Sequence, residues 1–202
     1  MASRSPNAEQ QQIELSDLAR CHRLCLPDTA SSRAGLGVLE GLYAALLADA
    51  AARVIWYPGS KEPHYHGTFA AGTTRYRDTE ANIRRCLPRA SLARLAFRVA
   101  SMPRHLLARH HWERTIPRAG IGYVLTLGVT RAVTPSAMTP RGSVILAELE
   151  NWFAKNGCTT SWVDTELSNQ RAHSFYVRTG YVEVARDFGQ VLLKKQLALK
   201  DG

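Results

Sequence analysis

The chain has 202 residues, of which 45% are hydrophobic, and it carries a formal net charge of +9 at pH 7. This length and composition suit a single domain with a sizeable core, and we expect that domain to span residues 13–202. No run of eighteen apolar residues occurs, so the sequence predicts no membrane-spanning helix. The polar start MASRSPNAEQQQ lacks the apolar centre of a secretory signal, and residues 1–12 are expected to form a flexible tail.

The cysteine and histidine spacing argues against disulfides and metal. The four cysteines are Cys21, Cys25, Cys86 and Cys158. They show no C-x-x-C spacing, which favours a reduced, cytoplasmic protein. His64 and His66 flank Tyr65 but lack a third ligand nearby, so no metal site is predicted.

In the first half of the chain, apolar spacing predicts helices and a hairpin. QQIEL, residues 11–15, is expected to form a first strand, followed by a helix that Ser16 begins. A second helix is predicted over residues 34–50, where leucines recur on one stripe. The strands ARVIWY, residues 52–57, and HGTFAAGTT, residues 66–74, are predicted to pair as a hairpin.

The second half alternates strands and helices. A basic segment contains two predicted helices, with breaks near Pro88 and Met102-Pro103. The elements expected after it are a buried strand GYVLTLGVT, a helix from about Gly142 to Phe153, a strand TSWVDTEL, a helix ending at Gly180 and a closing hairpin. Mixed strands and helices without repeats or a linker predict an α+β sheet domain.

The positive charge is concentrated between Arg84 and Arg118. This stretch holds nine arginines and one acid, Glu113, a net charge of +8. Such a run is usually a solvated helical face. The alternative is a docking surface for a polyanion such as RNA or an acidic carrier protein, with Arg84, Arg85 and Arg89 as the candidate contacts.

The stretch NQRAHSFYVRTGY carries the most specific pattern in the chain. Its residues Asn169, Ala172, Phe175, Tyr176, Gly180 and Tyr181 follow the spacing N-x-x-A-x-x-[FL]-Y-x-x-x-G-[FY]. This pattern resembles the signature of the GCN5-related N-acetyltransferase (GNAT) superfamily. Residues 26–43 look like the two opening helices of a GNAT branch, FAAGTT like its third strand and VLTLGV like its fourth. The resemblance therefore extends from about Leu15 to Leu193.

The resemblance implies a mixed, mostly antiparallel sheet flanked by helices and splayed between its fourth and fifth strands. It also implies a helical insertion after the third strand, here the basic residues 80–118. An acyl donor, acetyl-CoA or another acyl-CoA, would lie in the cleft, held by the backbone of Leu127, Gly128 and Val129. Asn169 would contact the pantetheine arm, and Tyr176 would protonate the departing thiolate.

The turn before the helix SVILAELENWF is expected to bind the donor's pyrophosphate weakly. The superfamily's phosphate loop reads [QR]-x-x-G-x-[GA], and Ala137, Pro140 and Gly142 occupy its three defined positions. Pro140 has no N–H to offer a phosphate. The remaining candidate donors are Arg141, Gly142, Ser143 and Val144.

The acceptor side is less defined. Asp28 and Glu166 are the principal candidates for the general base, with His22 and His173 as further ones. The leading hypothesis is acyl transfer from acyl-CoA to the amine of a small molecule. The alternatives are an aminoacyl-tRNA or acyl-carrier protein donor docked on residues 84–118, and a non-catalytic binding module.

Overall fold

The computed structural model describes residues 14–59, 67–100, 103–130 and 142–198. Eight helices and six strands lie in this part of the chain. The helices are α1 (Leu15–Cys25), α2 (Ala30–Ala34), α3 (Leu36–Ala48), α4 (Tyr76–Cys86), α5 (Arg89–Ala100), α6 (Pro103–Thr115), α7 (Gly142–Lys155) and α8 (Gln170–Arg178). The strands are β1 (Ala52–Pro58), β2 (Gly67–Thr73), β3 (Ile121–Val129), β4 (Thr160–Glu166), β5 (Val182–Asp187) and β6 (Gln190–Gln196).

The six strands form one mixed sheet in the order β1-β2-β3-β4-β6-β5. Every neighbouring pair is antiparallel except β3 and β4, which run parallel. The connection between these parallel strands passes through α7, as parallel pairing requires. The predicted α+β class and the mostly antiparallel sheet are confirmed.

The parallel pair β3 and β4 separates along most of its length. Both strands are fully described, and they pair only at Ile121–Thr160, Gly122–Ser161 and Tyr123–Trp162. Residues 124–129 and 163–166 continue without pairing to each other. On its other edge β3 stays bonded to β2, with a register shift that leaves Leu125 as an extra residue. The sheet therefore opens into the predicted V-shaped cleft.

Helices cover both faces of the sheet, and each face has its own core. On one face, called the α7 face here, α7 and α8 pack on the strands through residues such as Ile145, Leu149, Phe153 and Tyr176. On the other, called the α1 face, α1 and α3 pack over β1 and β2, and α6 packs over the closed end of β3 and β4. The cleft thus opens between two differently covered faces.

Two details of the sequence prediction are wrong. Leu15 begins α1 instead of ending a strand, while residues 11–13 of the predicted first strand lie outside the described residues. The predicted fourth and fifth strands are consequently β3 and β4. The basic segment forms three helices instead of two: α4 ends at Cys86, before Pro88, α5 ends at Ala100, and α6 begins at Pro103.

Candidate functional site

The open part of β3 forms one wall of the cleft. Leu127, Gly128 and Val129 lie beyond the last β3–β4 pair and are bonded to β2 on their other edge. Backbone groups on the β4 side of this stretch therefore face the gap instead of a strand. A strand edge of this kind can bind an extended chain that carries amide groups.

The start of α7 lies against the open end of β3 and against α8. A Cβ placed on Gly142 would lie 3.2 Å from Cγ2 of Val129 and 3.5 Å from the Phe175 ring. Gly142 therefore permits close approach of three elements at the cleft mouth. Ser143 and Val144, which follow it in the first turn, are exposed. Arg141 and the remainder of the predicted phosphate loop lie outside the described residues.

Tyr176 lies on the inner side of α8, beside the cleft. It is 6% exposed, and its ring lies 5.2 Å from that of Phe175 and 5.4 Å from that of Tyr181. Burial, and to a lesser extent the charge of Asp164, raise the pKa of the Tyr176 phenol. The hydroxyl therefore stays protonated at neutral pH and can donate a hydrogen bond.

Asn169 caps the N-terminus of α8. Its Oδ1 accepts a hydrogen bond from the Ala172 N–H at 3.0 Å, while the side chain remains exposed. This bond satisfies one of the N–H groups that a helix start leaves unpaired. The amide Nδ2 takes no part in the cap and can donate to another partner.

Asp164 lies on β4 where the two strands begin to separate. The Tyr123 hydroxyl, from the last paired position of β3, donates a hydrogen bond to Oδ1 of Asp164. Tyr123 is fully enclosed, and burial, followed by the Asp164 charge, raises the pKa of its phenol well above the usual value. A partly buried carboxylate is thus fixed at the inner end of the cleft.

The end of α1 reaches the mouth of the cleft. A Cβ on Gly128 would lie 3.0 Å from the Cβ of Cys25, the last residue of α1. A hydrogen bond from Cys21 and the nearby Arg171 guanidinium lower the pKa of the Cys25 thiol. The close approach of Cys25 to Gly128 shows that the end of α1 packs against the open end of β3.

The comparisons with known proteins agree with this geometry. Residues 141–181 match the model of the acetyltransferase (GNAT) family. Over these residues the chain is similar to the GNAT family. The match covers the start of α7, the strand β4 and the α8 helix, which together form much of the cleft. No curated protein sequence matches the chain.

Solved structures show the same fold at low sequence identity. The chain is similar to an aminoglycoside 6′-acetyltransferase type Ii, with 12% identity, 98% of each chain covered and a TM-score of 0.54. It is also similar to the ribosomal-protein-S18-alanine N-acetyltransferase from Escherichia coli, with 11% identity, 93% of this chain and 90% of that chain covered, and a TM-score of 0.51. A GNAT-family acetyltransferase from Listeria monocytogenes 4b F2365 matches over 38% of this chain and 43% of its own, with 21% identity and a TM-score of 0.33. The first two likenesses, with TM-scores above 0.5, show that the fold is shared.

The two principal candidates for the general base lie at the surface of the protein. Glu166 is the last residue of β4 and accepts a hydrogen bond from the Ser168 hydroxyl at 3.0 Å. The carboxylate of Asp28, in the α1–α2 loop, is 85% exposed and lies 2.9 Å from the Arg33 guanidinium. Nothing in these contacts tests their catalytic role, which stays a prediction.

Each histidine candidate for the general base contacts another polar side chain. His22 is buried on α1, where its Nδ1 lies 2.7 Å from the Tyr43 hydroxyl. Burial lowers the pKa of His22 to about 4. Nε2 of His173 lies 3.4 Å from the Glu183 carboxylate of β5.

The sequence analysis did not predict Asp164 as a site residue. Its charged side chain within the otherwise apolar part of the strand TSWVDTEL was the signal that could have identified it.

The arginines of the basic segment lie on α4, α5 and α6, except Arg118, which follows α6. Arg84 and Arg85 lie on α4 and Arg89 begins α5; the side chains of Arg85 and Arg89 are exposed. A separate open cavity of about 360 Å³ is lined by Arg75, Arg77, Asp78 and Arg118.

Within the described residues, no helix is long and apolar enough to cross a membrane. The same part of the chain holds no group of three His, Cys, Asp or Glu side chains that could bind a metal ion.

Proposed function

We propose that the protein transfers an acetyl or other acyl group from acyl-CoA to the amine of a small molecule. The similarity of residues 141–181 to an acetyltransferase family supports acyl transfer in general. The observation that carries the specific proposal is the gap between β3 and β4 beside the buried Tyr176. A thioester placed in this gap would have its carbonyl near β3 and its sulfur near the phenol.

The groups of the cleft fit such a donor. The N-terminal turn of α7, beginning at Gly142 in the described chain, directs unpaired N–H groups toward the mouth, where a pyrophosphate can bind. The Nδ2 of Asn169 lies outside the helix cap and is available for a carbonyl of the pantetheine arm. The open edge of β3 offers backbone groups for the rest of that arm.

The proposed reaction is direct attack of a neutral amine on the thioester carbonyl. Attack places negative charge on the carbonyl oxygen, and a backbone N–H of β3 stabilises that charge. The thiolate then leaves, and the nitrogen loses one proton to solvent as the amide forms. Because the pKa of Tyr176 is raised, its phenol remains protonated and donates a hydrogen bond and then its proton to the sulfur. Solvent then supplies Tyr176 with another proton.

The proposal is tested first by donor binding and then by turnover. Acetyl-CoA should raise the melting temperature of the protein, since a ligand that binds only the folded state stabilises it. Release of CoA in the presence of amines is then followed by chromatography, which avoids thiol reagents that would react with the protein's own cysteines. Absence of donor binding would refute the acyl-CoA proposal.

A Tyr176→Phe variant tests the proton donor. We expect kcat to fall at least tenfold, because general acid catalysis typically contributes about 10²–10⁴ in rate. The matched control is Tyr57→Phe, since Tyr57 donates to Glu148 at 2.6 Å between β1 and α7. Equal turnover in Tyr176→Phe and the unchanged protein would remove Tyr176 from the mechanism.

The second candidate function uses an aminoacyl-tRNA or an acyl-carrier protein as donor. It is favoured by the exposed arginines of the basic segment, residues 84–118, and by the proline in the predicted phosphate loop. We expect tRNA binding to weaken steeply with salt, because basic side chains displace counterions from phosphates. Replacing Arg84, Arg85 and Arg89 together by alanine should flatten that salt dependence, and salt-independent binding would exclude this donor.

The proposed setting is the cytoplasm. Four unpaired cysteines, two of them buried, are consistent with a reducing compartment. Cell fractionation tests this point, because it measures how much of the native protein is recovered in the cytoplasmic fraction. Glu166 and Asp28 remain proposed base residues on the acceptor side.

A further inference from the structure

We propose that the outward face of α5 binds the surface of a membrane that contains anionic lipids. The helix spans Arg89–Ala100 and lies in the middle of the basic segment, residues 84–118. The inference is carried by the apolar side chains that this face exposes, by the arginines that border them and by the charge of the segment. It does not depend on the reaction proposed for the cleft.

One side of α5 packs on the protein, and the other side faces solvent. The helices α2, α3 and α6 contact α5, and its Leu92, Leu95 and Val99 are half-buried. At 3.6 residues per turn, the exposed residues fall within one arc of about 160° on the opposite side. These exposed residues are Arg89, Ala90, Ala93, Arg94, Ala96, Phe97 and Ala100. Most of them are apolar, whereas the solvent side of a helix is ordinarily polar or charged.

Phe97 lies near the centre of this arc. It is 70% exposed, the highest value of any large hydrophobic residue in the described part of the chain. A single exposed aromatic residue would need no explanation. Phe97, however, follows Ala93 by four positions and precedes Ala100 by three, so it is adjacent to both on the helix surface. The phenyl ring and the alanine methyl groups thus form one apolar patch, and patches of this kind mark contact surfaces.

Arginines border the apolar patch of α5. Arg89 lies at its N-terminal end and Arg94 at one edge, and both side chains are exposed. The helix contains no aspartate or glutamate, and the whole basic segment contains one acid, Glu113. A long arginine side chain can reach a lipid phosphate at the headgroup level while its neighbours enter the apolar layer below. The charge of the segment therefore complements an anionic surface.

An anionic bilayer matches both the apolar patch and its arginine border. Its interface accepts aromatic and aliphatic side chains, and its phosphates attract basic ones. The partners considered for the second candidate function, tRNA and an acidic carrier protein, would account for the arginines. They would bury the alanine methyl groups and the Phe97 ring against phosphates or carboxylates, which is unfavourable. The apolar patch therefore favours the lipid surface.

Vesicle co-sedimentation of the intact protein tests the inference without any acyl donor. One set of vesicles contains equal parts of phosphatidylcholine and phosphatidylglycerol, and the other contains phosphatidylcholine alone. At about 0.1 M salt we expect at least tenfold stronger binding to the anionic vesicles, because each basic residue near the membrane surface adds attraction. Raising the salt to about 1 M should weaken this binding.

A pair of arginine variants locates the charged part of the surface. Arg89→Gln combined with Arg94→Gln should weaken binding to anionic vesicles at least tenfold. The matched control combines Arg23→Gln on α1 with Arg178→Gln on α8, which removes the same net charge from exposed positions elsewhere. We expect a loss below threefold in this control.

Variants of Phe97 test the apolar part. Phe97→Ser should weaken binding to anionic vesicles at least fivefold, because the ring no longer enters the interface. Phe97→Leu keeps an apolar side chain and should stay within threefold of the unchanged protein. The control is Val182→Ser on β5, where the valine is 60% exposed but lies outside α5, and it should bind as the unchanged protein does. The melting temperatures of all variants are compared to confirm that each one is folded.

Each remaining outcome overturns the inference. Equal binding to both kinds of vesicle, or to neither, excludes an anionic lipid surface. Equal losses in the two arginine pairs would show that net charge acts without α5. A loss in the α5 arginine pair without a loss in Phe97→Ser would describe a purely basic surface. Binding of tRNA without binding of vesicles would assign the arginines to the second candidate function. None of these results bears on acyl transfer, which is tested separately by donor binding and turnover.

Discussion

The buried His22 makes the stability of the protein depend on pH. Its ring stacks on Phe69 at 5.3 Å, its Nδ1 bonds the Tyr43 hydroxyl and its Nε2 has no partner among the described residues. An imidazolium at this position would need a second hydrogen-bond acceptor and would lose its hydration. Burial consequently lowers the pKa of His22 from its ordinary 6.5 to about 4.

The size of the effect follows from the difference between the folded and unfolded states. His22 becomes protonated below about pH 6.5 in the unfolded chain but only below about pH 4 in the folded chain. Stability is therefore present above pH 6.5 and is lost as the pH falls through this window. At about 1.4 kcal/mol per pKa unit, we expect His22 to remove about 2 kcal/mol of unfolding free energy between about pH 7.5 and pH 5.

Urea unfolding at the two pH values measures this contribution. The unchanged protein and His22→Asn are compared, because asparagine keeps a polar group near Tyr43 but does not titrate. We expect the variant to be less stable at pH 7.5 and to lose about 2 kcal/mol less than the unchanged protein on going to pH 5. If both proteins lose the same free energy, His22 is not held neutral by burial and the reasoning is wrong.

Three further substitutions test the packing and the cleft. Gly122→Ala should cost roughly 1–3 kcal/mol of stability, because its Cβ would lie 2.1 Å from the fully buried ring of Phe153; thermal unfolding measures the loss. Asn169→Asp should keep the α8 cap and the melting temperature but raise the KM for acetyl-CoA, because the amide donors are gone. Lys195→Met should cost about 2 kcal/mol in urea unfolding, because the carboxylate of Glu150, 9% exposed, loses its partner at 2.7 Å.

Each of these predictions has a result that contradicts it. Gly37→Ala is the control for the first, since a Cβ there meets no atom within 4 Å and alanine favours the helix by about 0.5–1 kcal/mol. An equal melting temperature for the two glycine variants would refute the packing argument. An unchanged KM in Asn169→Asp would restrict Asn169 to capping. A stable Lys195→Met protein would show that Glu150 needs no ion pair.

The sequence by itself indicated most of the element order and the resemblance to the superfamily. The signature from Asn169 to Tyr181 is a local pattern, because a helix cap, a buried aromatic pair and a C-terminal glycine lie within thirteen residues. The buried strand around Val124 is also a local pattern, because its run of apolar residues is recognisable without knowledge of the strands beside it. The predicted opening strand was wrong at Leu15, which begins α1 and packs against the core of the α1 face, because the short run QQIEL is ambiguous between strand and helix.

The tertiary structure alone decided which residues meet at the cleft. Asp164 and Tyr123 are 41 positions apart in sequence, and only the parallel alignment of β3 and β4 brings them together. Burial likewise turned His22 from a candidate base into a core residue, because the field around an imidazole depends on the helices and strands that enclose it. Sequence spacing records neighbours along one element, whereas the pKa of a group and its access to a ligand depend on elements that fold against it.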